Sequence, residues 1–93
     1  MMFYLGGSAW ASKNWITMGV NLSIDGTVVG DAKISVNETG SHKAFVSNAI
    51  VVNNVPAGTH QLTLTPYTSS AAGQQTDNND FYSLTVVEIV PAA

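Results

Sequence analysis

The run Asp77-Asn78-Asn79-Asp80 holds the densest set of side-chain oxygens in the sequence. Ca²⁺ takes about six to eight oxygen ligands, which carboxylate and amide side chains in a loop can supply. The run lacks the central glycine and the distal glutamate of a helix-loop-helix calcium site. Asp and Asn also build turns by bonding to their own backbone. The sequence therefore predicts either a calcium site held by Asp77 and Asp80 or a turn without an ion, and we expect the fold to form without metal.

Side chains that could catalyse a reaction do not occur in a known spacing. His42 and His60 lack the His-Glu-x-x-His pattern of a metal site, and no serine lies in a Gly-x-Ser-x-Gly elbow. Of the acids, only Asp77 and Asp80 are close enough in the chain to act jointly. We therefore expect a protein that is not an enzyme and has no cofactor, in which each histidine fixes a turn by hydrogen bonding.

Two tryptophans near the N-terminus are candidates for binding a sugar ring. Trp10 and Trp15 flank a short polar run that ends in Asn14, so aromatic faces lie beside groups that can form hydrogen bonds. Packing in the core competes with this role, because a small sandwich usually buries one tryptophan at its centre. We expect Trp10, Trp15 and Asn14 to form the ligand site, with at most one of the two indoles available.

Composition limits the protein to one domain and excludes several partners. A second core within 93 residues would leave each half too small to fold, so residues 1–93 form a single domain. The chain has no cysteine and no arginine, and its formal net charge is −3. Nucleic acid and anionic membranes are therefore disfavoured as partners. No stretch approaches the roughly 20 apolar residues needed to cross a bilayer, and residues 1–5 resemble a strand more than a signal peptide.

The elements that must position these residues are strands. Apolar residues alternate with polar ones over residues 18–24, and Asp25-Gly26 then supplies a type I′ turn, which predicts a hairpin with residues 27–36. Further strands are predicted over residues 44–52, from residue 61 to Pro66 and over residues 81–90. Between the strands, the sequence predicts a left-handed Gly40, a turn at residues 56–58 and a mobile loop at residues 68–79. About seven or eight strands without a helix indicate a two-layer antiparallel β-sandwich of the jelly-roll type or, alternatively, of the immunoglobulin-like type.

An ordered series of short motifs carries a resemblance to a known class of domains. The motifs are Gly7-Ser8-Ala9-Trp10, Ile24-Asp25-Gly26 with Val29-Gly30, Asn37-Glu38 with Ser41-His42-Lys43-Ala44, Ala57-Gly58-Thr59-His60, and residues 77–81 before Val86-Val87-Glu88. Together they resemble small jelly-roll head domains of bacterial and bacteriophage surface proteins, related in architecture to tumour-necrosis-factor-like heads. Such heads often have a further strand before the first one seen here.

The resemblance implies a non-catalytic, trimeric structural head on a virion, tail fibre or cell-surface assembly. The last predicted strand agrees with self-association, because apolar residues lie on both of its faces. Phe81, Val87 and Ile89 share one face, which a neighbouring subunit would cover. We therefore expect a homotrimer, with a dimer as the alternative. The alternative function is a lectin-like module that binds a glycan or a host-surface receptor.

Overall fold

The computed structural model describes residues 1–69 and 73–88, and within these residues it contains eight strands and no helix. The strands are β1 (Met2–Ala11), β2 (Ile16–Ile24), β3 (Thr27–Val36), β4 (His42–Ala44), β5 (Asn48–Val51), β6 (Leu62–Thr68), β7 (Gln74–Gln75) and β8 (Tyr82–Val87). The described residues thus offer no helix with which the chain could cross a membrane. Ile89, a predicted interface residue, lies outside the described residues.

The first sheet is built around β1, which has partners along both edges. β5 and β8 pair with its first half from opposite sides, since both face Met2 to Leu5. β4 and β7 pair with its second half, and both face Trp10. All four pairings are antiparallel, so one ten-residue strand organises the whole sheet.

The second sheet has the strand order β3-β2-β6 and contains the predicted hairpin. β2 and β3 pair from Ile16–Val36 to Ile24–Thr27, with an irregularity after Leu22. Asp25 and Gly26 have φ values of 50° and 87°, as a type I′ turn requires. The hairpin and its turn are therefore confirmed.

Two predicted strand boundaries are wrong for identifiable reasons. β6 continues through Pro66 to Thr68, because β6 lies at the edge of its sheet, where a proline is tolerated. Residues 44–52 form two short strands instead of one, because the chain leaves the first sheet between them. There the amide of Phe45 donates to Gly7 in β1, and the amide of Val46 donates to Lys33 in the other sheet.

The predicted loop at residues 68–79 also contains regular structure. Thr68 ends β6, and Gln74 and Gln75 form β7 against β1. Residues 70–72 lie outside the described part of the chain. Gly40 has the predicted left-handed conformation, with φ 81°.

The two sheets pack face to face and bury one apolar core, so the predicted all-β sandwich is confirmed. The odd-numbered residues of β1 and the even-numbered residues of β2 point into this core, as strand alternation requires. Buried apolar residues are Phe3, Leu5, Ala9, Ala11, Ile16, Met18, Val20, Leu22, Ala32, Val36, Phe45 and Ile50. Leu62 is 39% exposed at the start of the edge strand β6.

Neither tryptophan is at the centre of the sandwich, so that expectation is also wrong. Trp10 is only half-buried and Trp15 is 79% exposed. The largest fully buried side chains are instead Phe3, Leu5, Met18, Leu22 and Val20, so one phenyl ring and aliphatic side chains fill the centre in place of an indole.

Candidate functional site

The outward side of the first sheet carries exposed apolar side chains. Because Phe3 and Leu5 point into the core, Met2 and Tyr4 point the opposite way. Val51 and Val87 lie directly opposite Met2 on the two flanking strands and therefore share its side of the sheet. Tyr4 is 47% exposed, Val51 61% and Val87 40%. We call Met2, Tyr4, Val51 and Val87 the outer apolar face.

The outer apolar face lies on strands that have no charged side chains. β1, β5 and β8 contain no Asp, Glu, Lys or Arg, and the first acid after β8 begins is Glu88. A sheet face that meets water normally alternates apolar with polar or charged residues. The large residues of this face are instead apolar, which is typical of a surface that another molecule covers.

Of the predicted interface residues, Val87 and Phe81 lie in different places. Val87 belongs to the outer apolar face, whereas Phe81 precedes β8 and is 56% exposed. Sequence reasoning did not identify Tyr4 and Val51 as part of this surface. The signal that could have found them is the absence of Asp, Glu, Lys and Arg from residues 1–12 and 45–76.

The carboxylate of Asp80 lies in a hydrogen-bond network at the other end of the first sheet. Only 1% of its side chain is exposed. Its Oδ1 accepts hydrogen bonds from the Ser8 hydroxyl at 2.8 Å and from Nδ1 of His42 at 2.9 Å. Its Oδ2 accepts one from the Asp77 amide at 3.0 Å. Burial raises the pKa of Asp80, but the hydrogen bonds from His42, Ser8 and Asp77 outweigh burial, so the pKa lies below its ordinary value.

His42 holds the two aspartates of the predicted metal site together. Its Nε2 lies 3.6 Å from Oδ2 of Asp77, and its pKa is raised, chiefly by the hydrogen bond to Asp80. Oδ1 of Asp77 accepts a hydrogen bond from the Asn79 amide, and this bond closes a turn. The candidate ligand atoms of His42, Asp77 and Asp80 all lie within 4.8 Å of one another. Sequence reasoning missed His42 because it is distant in the chain, on β4.

The arrangement around Asp80 fits a structural clasp better than a metal centre. Three donors already satisfy the buried carboxylate, and the charge of a protonated His42 balances it without a cation. The clasp joins Ser8 in β1 to His42 in β4 and to the turn before β8. Calcium binding by Asp77 and Asp80 stays a prediction that a chelator can test.

Ser8, His42 and Asp80 are the residue types of a hydrolase triad, but they are connected in a different order. In a triad the histidine lies between the serine and the carboxylate and accepts the serine proton. Here Asp80 lies between the other two, and both bind its Oδ1. The Ser8 hydroxyl thus contacts a carboxylate instead of an imidazole. This geometry gives no activated nucleophile.

A second histidine clasp fixes the β2–β3 turn. Nδ1 of His60 lies 2.6 Å from Oδ2 of Asp25, and its Nε2 lies 2.6 Å from the carbonyl oxygen of Pro56. Because both partners are acceptors, both ring nitrogens must carry a proton. The hydrogen bond to Asp25 raises the pKa of His60, and the same bond lowers the pKa of Asp25. His60 therefore fixes a turn, as the sequence predicts.

The structure separates the residues of the predicted sugar site. Trp10 belongs to the first sheet, opposite His42 and Gln75. Trp15 directly precedes β2 of the second sheet and lines an open cleft of about 380 Å³ together with Ile16, Thr17, Ser35, Val36 and Asn37. Asn14 is exposed beside it but does not line this cleft. Of the predicted set, Trp15 lines this cleft, whereas Trp10 and Asn14 do not.

No family model, no curated protein and no solved structure matches this chain. The resemblance to jelly-roll heads therefore stays a prediction.

Proposed function

We propose that this chain is a non-catalytic structural module that assembles with further copies of itself through the outer apolar face. The observation that supports the proposal most is the row Val51, Met2 and Val87 across three uncharged strands, with Tyr4 beside it. Exposed apolar area of this kind contributes free energy when a partner covers it, about 25 cal/mol per Å². A small cysteine-free domain gains stability from such burial.

A second copy of the chain suits this surface for an electrostatic reason. Each copy carries a formal net charge of −3, so two copies repel each other at most orientations. A symmetric contact between identical subunits brings the same surface of each subunit, or neighbouring parts of that surface, close together. On charged strands such a contact would bring like charges together. β1, β5 and β8 carry no charged side chains, so their contact avoids that cost.

The proposed assembly is a homotrimer in a head module displayed on a virion, tail fibre or cell-surface assembly. The number three and the location come from the resemblance to jelly-roll heads. The position of Val87 agrees with a contact that uses one face of the last strand. Phe81, which directly precedes the same strand, extends the contact if the axis runs along β8.

Light scattering of the purified chain at tens of micromolar, combined with two matched variants, tests the proposal. We expect the wild type to be trimeric and Val87→Lys to be monomeric, because a charge in the contact would lose its water. Val28→Lys makes the same change at a valine that is 57% exposed on the second sheet, and it should leave the assembly intact. Circular dichroism confirms that each variant is folded.

Two results would contradict the proposal. One is a monomeric wild type at these concentrations. The other is a folded Val87→Lys variant that stays assembled as well as the wild type does. A dimer in place of a trimer would support the outer apolar face as the contact and would refute the threefold arrangement.

A further inference from the structure

The cleft beside Trp15 lies at the open end of the β2–β3 hairpin, opposite the Asp25-Gly26 turn. Ile16 pairs with Val36 and Thr17 pairs with Ser35, so Trp15 and Asn37 stand at the mouth of the hairpin. Ile16 and Val36 are buried and close the base of the cleft. The cleft is therefore built on two paired strands, which hold its residues at fixed separations.

Trp15 has a backbone conformation that its side chain does not favour. Its φ is 58°, in the left-handed region that bulky residues rarely adopt. Its side chain is 79% exposed, so burial of the indole does not compensate for the strain. Strained residues of this kind concentrate at functional sites. The conformation turns a large flat aromatic group toward solvent at the edge of a concave surface.

The polar groups of the cleft can bind a neutral ligand. The hydroxyls of Thr17 and Ser35 lie 2.9 Å apart, so one donates to the other and the second hydroxyl proton is available. The side-chain amide of Asn37 forms no hydrogen bond with the described part of the chain, so it offers both a donor and an acceptor. The residues that line the cleft include no charged side chain. This composition disfavours phosphate and carboxylate ligands.

We propose that the cleft of Trp15, Thr17, Ser35 and Asn37 binds a neutral pyranose sugar. A pyranose has an apolar face of C–H groups that packs on an indole and hydroxyls at its rim that exchange hydrogen bonds with hydroxyl and amide groups. The cleft volume of about 380 Å³ accommodates one ring with part of a neighbouring residue. The ligand is thus the terminal sugar of a glycan.

Sugar binding by the cleft does not depend on the proposed assembly. The cleft lies on the second sheet, whereas the outer apolar face belongs to the first. A trimer would present three clefts, and linked sites raise the apparent affinity for a surface with many glycans. Binding of a single sugar to a single site does not require assembly. Failure of one proposal therefore does not mimic failure of the other.

The test is titration of the full chain, produced in bacteria, with the methyl α- and β-glycosides of glucose, galactose, mannose and N-acetylglucosamine. The readout is the set of backbone N–H resonances of the cleft residues Thr17, Ser35 and Asn37 in a nitrogen-proton correlation spectrum, together with the indole N–H resonance of Trp15 in every chain that keeps this residue. We expect at least one glycoside to shift these resonances at millimolar concentration. The variants Trp15→Gly and Asn37→Ala should each weaken binding by about tenfold or more, because each removes one group that contacts the ring. Asn53→Ala, at an exposed asparagine outside the cleft, should bind as the wild type does.

Trp15→Gly also separates a binding role from a structural one. Glycine adopts φ near 58° without strain, so this variant should unfold at the same denaturant concentration as the wild type or at a higher one, while it loses the sugar. A clear loss of stability would mean that the indole supports the fold and would overturn the argument from strain. The absence of any shift at tens of millimolar with all eight glycosides would overturn the proposal. Unchanged binding by folded Trp15→Gly would do the same.

Discussion

A methyl group added at Gly19 should destabilise the sandwich strongly. Gly19 lies in the middle of β2, between Lys33 on β3 and Tyr67 on β6. A Cβ atom built there would overlap the carbonyl oxygen of Ala32 and would lie 2.9 Å from the Cα atom of Lys33. Both are backbone atoms, so no side-chain rotation can relieve the overlap. The substitution Gly19→Ala must instead push two paired strands apart.

The backbone of Gly19 also forms two hydrogen bonds with the side chain of Gln74, which connect the two sheets at this point. Its amide donates to Oε1 of Gln74 at 2.7 Å, and Nε2 of Gln74 donates to its carbonyl oxygen at 3.0 Å. Moving β2 weakens both bonds. Overpacking costs about 1–3 kcal/mol, and each lost hydrogen bond about 0.5–1.5 kcal/mol. The expected loss is about 2–6 kcal/mol, which is a large part of the about 5–14 kcal/mol that a domain of this length has.

Urea denaturation followed by circular dichroism measures this loss. Gly40→Ala is the control, because a Cβ at Gly40 meets no atom within 4 Å and only the left-handed φ of 81° opposes it. We expect Gly19→Ala to lower the unfolding midpoint clearly more than Gly40→Ala does. The double variant Gly19→Ala with Gln74→Ala should lose less than the two single losses together, because both changes act on one contact. The steric argument is wrong if Gly19→Ala costs no more than its control.

Three further predictions concern the turns and the clasps. Gly26→Val should lower the free energy of unfolding by about 1–3 kcal/mol in urea denaturation, because valine does not tolerate the positive φ of the turn, and an unchanged midpoint would contradict that reading. EDTA should shift the melting temperature by less than about 5 °C, and a larger drop would establish a metal at Asp77 and Asp80. The raised pKa of His60 predicts that its contribution to stability is complete below about pH 6.5 and disappears as the pH rises through that raised value, whereas the lowered pKa of Asp25 removes its contribution only in acid. Melting temperatures from pH 5 to 8 should therefore fall less steeply in His60→Gln than in the wild type, and identical slopes would refute the clasp.

The sequence predicts the parts of the fold that depend on local pattern. The β2–β3 hairpin follows from strict alternation and from Asp25-Gly26, since the backbone of the turn and the period of the strands are set by neighbouring residues. The left-handed conformation of Gly40 is likewise predicted from neighbouring residues in the sequence. The outward position of Val87 also follows from alternation alone.

The arrangement of partners in space could not be predicted from the same patterns. Asp80 bonds to His42 and Ser8, which are 38 and 72 positions away in the chain, so no local spacing marks the clasp. The four partners of β1 likewise depend on how distant segments return to one strand. The sequence predicts that a strand ends at Pro66, and this is wrong because the effect of a proline depends on whether the strand lies at an edge, which is a property of the whole sheet.

The outward sides of the two sheets differ in a way that orients the proposed assembly. On the second sheet Lys33 forms an ion pair with Asp31 at 3.2 Å, and its ammonium lies 3.9 Å from the centre of the Tyr67 ring. Gly19 lies between Lys33 and Tyr67 and has no side chain to block this reach. Charged and polar side chains thus cover the outward side of the second sheet. β1, β5 and β8 have no charged side chain, so copies that associate through the outer apolar face would leave the Lys33 side, and the cleft of Trp15 with it, turned outward in every subunit.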